Sequence, residues 1–487
     1  MALRPGSNST PFDDEALYMF MGHRMIAHLL HGSVLFEHPG TFFSGAPGLY
    51  PVLAALGDDV DGVRGARLVS LVFAVGATVC VNGLGRALYG RRAGVLGAAS
   101  FALCGSVLFL SYYATFDSTL MFLVAAAAWL TAYSVKHDDF RWSGIVALVL
   151  VLAFYVKYAG AAYAPIIAAL AIAVAIDAGR NRALVVRRTV LMLLLGLAVG
   201  YFVFLLWGQS LGPGITSTTA SRVAEEPATT SKLIHVVILW VGPWLLLAAV
   251  GAAIAWRRWA PSVVLLIGAI IGPLEQIRIG EQLSLNKHVA FGMVFAAPLI
   301  GLLMSELLDR IRYLTVPVVI AGFGCLGAIG LHYSHQFMTT WVPDTAVLPP
   351  LRAAVDAAPG RPILGELPEP ERWALRSDTQ PRQWSDTFAA PYLRYDGRTG
   401  VGAVDARIDQ QYYGVIFLIK QRFDPANDRS PTPAGDGIYR YLSTGRTPYK
   451  LDTTVSRVNP QGVLVGRWYI FVPRGETVPT LATPGSS

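Results

Sequence analysis

Ten stretches of this chain run apolar for about 17 to 25 residues each, and no other feature narrows its fold as far: roughly residues 65–89, 93–113, 115–135, 141–157, 159–178, 189–207, 233–256, 261–277, 288–307 and 314–335. A helix of that length crosses a hydrocarbon core of about 30 Å with its backbone amides bonded internally, which no open strand or loop can do. With 53% hydrophobic and only 15% charged residues among 487, the chain is too apolar for a soluble globular protein of its size. The expected fold is an α-helical polytopic membrane protein with about ten transmembrane helices.

A net charge of +7 would suit a nucleic-acid partner if the basic residues shared one soluble face. They are instead dealt out to alternate connections. Arg86, Arg91 and Arg92 follow the first span, Lys136 and Arg141 the third, Arg180, Arg182, Arg187 and Arg188 the fifth, Arg257 and Arg258 the seventh, and Arg310 and Arg312 the ninth. The positive-inside rule makes those connections cytoplasmic, so a nucleic-acid partner is set aside. Residues 1–64, the turns at Asp117 and Lys157, residues 208–232 and 278–287, and everything beyond about 336 then face outward. Three regions are expected: an extracytoplasmic segment 1–64, a transmembrane domain 65–335 and an extracytoplasmic α/β domain 336–487. Cys80, Cys104 and Cys325 all fall within spans and form no disulfide framework. Residues 1–11 contain no apolar run of the kind a cleavable signal peptide needs.

Residues 16–36 carry Leu17, Phe20, Met21, Met25 and Leu29 at helical spacing, with His23, Arg24, His28 and His31 between them, the pattern of a helix lying in the membrane interface. Residues 208–232, rich in Gly, Ser, Thr and Pro without periodicity, read as a mobile external loop. After Trp341 the short β-like runs RPILGEL, YYGVIFLIK and GRWYIFVPR alternate with polar and helical stretches, as in a soluble α/β domain.

Just ahead of the interfacial helix, FDDEALYMF places Asp13, Asp14 and Glu15 in a row. Acids at a helix start bond free amides and suit the helix dipole; carboxylates at an outer surface also serve as general bases, and both readings stay open from the residues alone. Asp117, in YYATFDSTLMF, either caps its span or belongs to an outer site. Lys157, in FYVKYAG beside Tyr158, is either a functional cation at the membrane edge or a side chain reaching for the headgroups. Arg278 and Arg222 are further cations on the outer face, and for both a solvated loop charge is the plainer reading.

An acidic pair (FDDEAL), an interfacial helix, a proline-containing turn (GAPGLYPVLAALG), an arginine before the next span (GARLVS), a basic turn (YGRRAG), an aromatic stretch with an Asp (YYATFDSTL) and a Lys-Tyr pair (FYVKYAG) follow in that order. Together they resemble the GT-C membrane glycosyltransferases, in the branch of the protein O-mannosyltransferase-like and lipid A aminoarabinose transferase-like enzymes. The resemblance covers about residues 12–335. It implies transfer of a sugar, with inversion, from a polyprenyl-phosphate carrier to an acceptor on the outer face of a bacterial plasma membrane, the acceptor being a protein, a glycan or a lipid. One carboxylate then takes the acceptor's hydroxyl proton, and cations hold the departing phosphate. In the family pattern the acid just before Glu-Ala carries the base role, which here is Asp14, with Asp13, Glu15 and Asp117 behind it. The implied donor-phosphate contacts are Lys157, Tyr158, Lys287 and His288, with Arg278 and Arg222 as alternatives. Lys287-His288 stands where family members often carry Arg-Tyr.

Two departures stand out. Where this branch often reads Lys-Pro-Pro or His-Pro-Pro, this chain has Gly45-Ala46-Pro47, without the basic donor contact and a nearby metal-binding acid. That argues against a divalent metal; His23, His28 and His31, or His332 and His335, are the ligands such a metal would have, with no matched carboxylate set. The family also begins with a transmembrane helix before the acidic loop, which an eleventh helix ahead of this chain's start would restore. Two other classes compete: a secondary transporter with Asp117 and Lys157 as a midplane site, and a non-catalytic envelope scaffold. The chain shows no internal repeat of the transporter kind.

Overall fold

The computed structural model describes residues 10–35, 37, 40, 43–219, 228–310, 315–339, 341–424 and 427–475. The chain divides into two compact units, one running from Met21 to Met338, the other joining the stretch that ends at Phe20 to the chain from Thr339 onward.

The first unit is helical and built for a membrane. After α1 (Asp13–His31), of which it holds the later part, come α2 (Tyr50–Tyr89), α3 (Arg91–Ala102), α4 (Gly105–Tyr112), α5 (Phe116–His137), α6 (Arg141–Val156), α7 (Ala164–Asp177), α8 (Arg182–Thr219), α9 (Thr230–Ile254), α10 (Trp259–Ile279), α11 (Leu285–Arg310) and α12 (Thr315–Thr339). All ten apolar stretches are therefore helical, but fewer than ten stand as full spans. Among the described residues eight helices are long and apolar enough to cross, and a ninth follows if α3 and α4, bent by 67° to each other, count as one. The remaining stretch, α6, has only 16 residues because Lys157 leaves helical geometry at φ −153° and ψ 122°. Kinks appear where the backbone allows them: α2 breaks at Asp61–Gly62, where Gly62 takes φ 57°.

Small residues let the helices of this unit approach closely, as expected where lipid offers no hydrophobic driving force between helices. At Gly301 of α11 a side chain would stand 2.0 Å from the Ala93 carbonyl of α3. Almost every residue of α11 from His288 to Met304 is buried, so it is the central helix of the bundle. The basic connections are tied to one another at their ends: Arg92 pairs with Asp309 at 2.6 Å, Arg258 donates to the Leu88 carbonyl, and Arg188 pairs with Asp138.

Two local expectations change. The interfacial helix starts at Asp13 rather than 16 and ends at His31, because Gly32 turns to φ 65°. Residues 208–219, expected as loop, continue α8; the hydroxyls of Thr216, Ser217, Thr218 and Thr219 bond back to carbonyls three or four residues earlier, which lets polar residues stay helical. Of the rest of that expected loop, 220–227 lie outside the described residues, and Thr230 to Lys232 already belong to α9.

The second unit is an α/β layer structure. Its main sheet runs β2 (Trp384–Asp386), β1 (Ile363–Gly365), β5 (Val415–Asp424), β8 (Leu464–Pro473), β7 (Tyr449–Val458), with β6 (Asn427–Arg429) also on β5; a separate hairpin pairs β3 (Arg394–Tyr395) with β4 (Arg398–Thr399). The β2–β1 and β1–β5 pairs are parallel and the rest antiparallel. Strand β5 is apolar on both faces, and the two faces bury different cores. Val415, Phe417 and Ile419 pack with α13 (Leu348–Asp356) through Leu351 and Val355. Ile416 and Leu418 pack with α15 (Val401–Asp409) and α16 (Pro433–Ser443) through Val404, Ile408, Ile438 and Leu442. Period-two alternation with helices on both faces is what a strand read as continuously hydrophobic produces.

Candidate functional site

In the first unit the residues of interest meet at the start of α5. Residues 113 and 115 are extended, so α5 begins abruptly and Asp117 falls in its first turn, fully buried. Its carboxylate does not cap the helix. Oδ1 accepts from Lys157 Nζ at 2.5 Å, and Lys287 Nζ stands 3.7 Å from Oδ2. The Lys157 ammonium also lies 4.8 Å from the Phe116 ring centre and 5.8 Å from that of Phe291. His288, next to Lys287, is buried with its ring edge-on to Phe291. Two ammonium groups thus stand around one carboxylate in a largely apolar setting, where charges interact far more strongly than in water.

Lys157 reaches this position because a helix is interrupted there. A 3-10 turn over Tyr158–Tyr163 separates α6 from α7, and an interrupted helix leaves amides and carbonyls to be satisfied. The segment before α2 supplies the partners: Ala46 N–H donates to the Tyr155 carbonyl at 2.6 Å, and Tyr158 N–H donates to the Ser44 carbonyl at 2.8 Å. Gly45 lies so close that a Cβ there would stand 2.0 Å from the Val156 carbonyl oxygen. The Gly-Ala-Pro departure from the family pattern thus has a steric reason. Gly45→Ala is expected to cost about 1–3 kcal/mol by overpacking, read as a lowered melting temperature of the detergent-purified protein. Tyr158 is buried beside Tyr155, Leu211, Ala46 and Leu49. Tyr163 stacks on Phe295 at 5.7 Å, and its hydroxyl is enclosed without a hydrogen-bond partner among the described residues.

The sequence pointed to Arg67 only as a residue before a span; it lies inside α2, buried, with its guanidinium 4.8 Å from the Tyr112 ring and 5.6 Å from that of Tyr113. Arg278 does not join the lysine cluster. It is exposed and holds Glu275 through two hydrogen bonds of 2.8 and 2.6 Å. Arg222 lies outside the described residues.

The acidic triplet belongs to the second unit. Glu15 is fully buried and accepts the Phe12 N–H at 2.8 Å, closing the helix start as a capping residue does. Asp13 is half-buried, with Oδ1 enclosed. Burial first, and then Glu369, Asp14, Asp386 and Asp344, push its carboxyl well above the usual range. Apart from Asp14, nothing in the sequence singles these acids out, because each, Glu369 of α14 (Glu369–Ala374) included, is ordinary in its own stretch. Burial raises Asp344 to about 7 and Asp386 to about 6, and it holds Glu371 far above its usual value, with Asp344 adding to it.

Of the histidines, His23 pairs with Asp58 at 2.7 Å and His28 with the Ser33 carbonyl at 2.8 Å. Among the described residues no group of three or more His, Cys, Asp and Glu side chains converges in a metal-holding arrangement, so no step is assigned to a metal.

Residues 47–207 match the family model described as dolichyl-phosphate-mannose-protein mannosyltransferase. No curated protein matches the chain by sequence. Among solved structures, ArnT from Cupriavidus metallidurans is similar in its apo state, with a TM-score of 0.65 and 14% identity over 96% of this chain and 94% of that one. The same protein bound to undecaprenyl phosphate gives 0.59 and 13% over the same shares. The archaeal oligosaccharyltransferase AglB from Archaeoglobus fulgidus, solved with an inhibitory peptide and a dolichol-phosphate, gives 0.56 and 13% over 85% of this chain and 66% of its own. The arabinofuranosyltransferase AftD from Mycobacteria gives 0.51 and 15% over 98% of this chain and 39% of its own. These are GT-C glycosyltransferases, and this chain has their fold.

Proposed function

We propose that this chain, a membrane protein with the GT-C glycosyltransferase fold, transfers a sugar from a polyprenyl-phosphate donor to an acceptor on the outer face of the membrane, inverting the anomeric centre. The observation that carries the reading is the pair of ammonium groups, buried Lys157 and half-buried Lys287, on the buried Asp117. α5 carries Asp117 in its first turn and Lys136 and His137 in its last, so the pair sits at the opposite end of that helix from a basic connection. By the positive-inside rule that end faces outward.

In the proposed reaction Asp14 takes the proton of the acceptor hydroxyl as its oxygen attacks the anomeric carbon. The bond from that carbon to the phosphate oxygen breaks, and its electron pair leaves with the polyprenyl phosphate. Lys157 and Lys287 stabilise the charge that grows on the phosphate, the kind of interaction that strengthens between ground and transition state. Asp117 is a positioning residue that holds the two ammonium groups. A lipid phosphate is already a competent leaving group, so a single displacement suffices and no covalent sugar–protein intermediate forms.

The test supplies the purified protein, in nanodiscs, with radiolabelled polyprenyl-phosphate sugars and an envelope extract. Label moving covalently to any acceptor supports the reading. Hydrolysis-resistant label that stays on the carrier with every sugar tried, or sugar that crosses reconstituted vesicles without transfer, would overturn it.

A further inference from the structure

A single 3-10 turn over Trp256–Arg258 joins α9 to α10, and with the first residue of α10 it reads Trp-Arg-Arg-Trp. Both tryptophans are exposed, at 68% and 60%, and the Arg257 guanidinium lies 5.3 Å from the Trp256 ring centre. Indole rings left outside a bundle at the end of a span settle at headgroup depth, where one side is apolar and the N–H finds water or a phosphate. The two arginines between them are held at that depth too.

Contacts with the turn between α2 and α3 bring further cations to the same place. Arg258 donates to the Leu88 carbonyl, the Tyr89 and Ser262 hydroxyls lie 2.9 Å apart, and Ala255 packs with Ala93 and Tyr89. On that turn Arg86, in the last turn of α2, and Arg91, the first residue of α3, are both exposed. Arg92, next in the chain, is taken by Asp309 at 2.6 Å, and Arg310 by Glu306 at 3.6 Å. Arg86, Arg91, Arg257 and Arg258 form no ion pair among the described residues, and Asp177 at the end of α7 pairs with none of them. Outside the described residues this unit has two acids, Glu225 and Glu226; both precede α9 in the chain, with its 25 residues between them and Arg257. Below the arginines the surface turns aliphatic. Leu246 and Val250 of α9 and Val263 and Ile267 of α10 are all exposed.

We propose that Arg257 and Arg258, with Arg86 and Arg91, bind the headgroup of an anionic phospholipid in the leaflet at this end of the bundle. The guanidinium groups bond the phosphodiester oxygens, for which their planar fork is suited, and the acyl chains lie along the aliphatic surface of α9 and α10. A zwitterionic headgroup brings a cation of its own against the neighbouring arginines and is held less well. A soluble anion gains nothing from the exposed tryptophans and aliphatic residues, whereas a phospholipid uses both. The lipid joins two connections, α2–α3 and α9–α10, that the protein itself ties together through few polar contacts.

The inference does not depend on sugar transfer, and its test needs none. Native mass spectrometry of the detergent-purified full chain, titrated with dioleoylphosphatidylglycerol or dioleoylphosphatidylcholine, should show the anionic lipid bound at least tenfold more tightly. Equal retention of the two lipids overturns the proposal. Arg257→Gln with Arg258→Gln should weaken phosphatidylglycerol binding by about 10- to 30-fold, since each arginine near an anionic headgroup contributes roughly a fivefold factor, and should leave phosphatidylcholine binding unchanged. Because Arg258 also bonds a backbone carbonyl, Arg91→Gln with Arg257→Gln repeats the measurement without touching that bond. Arg182→Gln with Arg187→Gln removes the same charge from the connection after α7 and should keep the lipid preference. An equal loss in that control would reduce the effect to diffuse charge and overturn the site, as would wild-type phosphatidylglycerol binding in the Arg91 and Arg257 double variant.

Discussion

Asp14→Asn is expected to lower the rate of sugar transfer by about 10²–10⁴-fold, the range by which a positioned general base accelerates a proton transfer. Asparagine matches aspartate in size and still offers a carbonyl oxygen, so packing at the first turn of α1 changes little; what disappears is the ability to accept a proton at the moment of attack. The loss should appear in kcat, with donor affinity nearly unchanged, because nothing in the substitution touches the phosphate contacts. Label transfer at saturating donor, together with an unchanged melting temperature, checks both halves of the statement. Wild-type rates in Asp14→Asn would remove Asp14 from the chemistry. Glu15 is a poor substitute for it, since its carboxylate is already engaged with the Phe12 amide.

Lys157→Met is expected to destabilise the protein by about 3–5 kcal/mol, the cost of leaving a buried carboxylate without its main partner. Asp117 is fully buried, its 2.5 Å contact is with Lys157, and Lys287 stands farther off at 3.7 Å. Adding Asp117→Asn should recover most of that stability, because the neutral amide no longer needs a cation. Transfer should not recover, because the ammonium proposed to meet the donor phosphate is still missing. Thermal melts of the two single variants and the double variant form a cycle; a double variant no more stable than Lys157→Met alone would show that the ion pair is not what holds this region. The opposite response of stability and activity separates a structural ion pair from one that also serves catalysis.

The spans were legible because uninterrupted apolar length has few alternatives in a folded chain, and the basic connections because arginine is conspicuous among so many aliphatic residues. The strand runs of the second unit were legible for the same reason: YYGVIFLIK leaves little choice. Boundaries governed by close contacts were not. α6 looked like a full span because the residues around Lys157 are apolar; it stops where another segment's backbone meets it, which no local pattern records. Residues 208–219 looked like loop because glycine, serine and threonine usually are, yet their hydroxyls bond along the helix. At the site, Asp117, Lys157 and Lys287 were each visible as an odd charge in a greasy stretch, but their meeting, across 40 residues for the first pair, is a product of the bundle. The acids around Asp13 were the least legible, since Asp344, Glu371 and Asp386 become unusual only by being buried together.

The joint between α6 and α7 has a consequence for how the molecule is made. The strip around Ser44 leaves the ribosome roughly a hundred residues ahead of the Tyr155–Tyr158 backbone that completes it. Until that later hairpin is inserted, the early strip has exposed amides and nothing to pair them with. A nascent chain arrested ahead of Tyr155 would therefore carry an unfinished seam, and co-expressed halves should reassemble more readily when the cut falls in the basic connection after Asp177 than when it parts Ser44 from Tyr158.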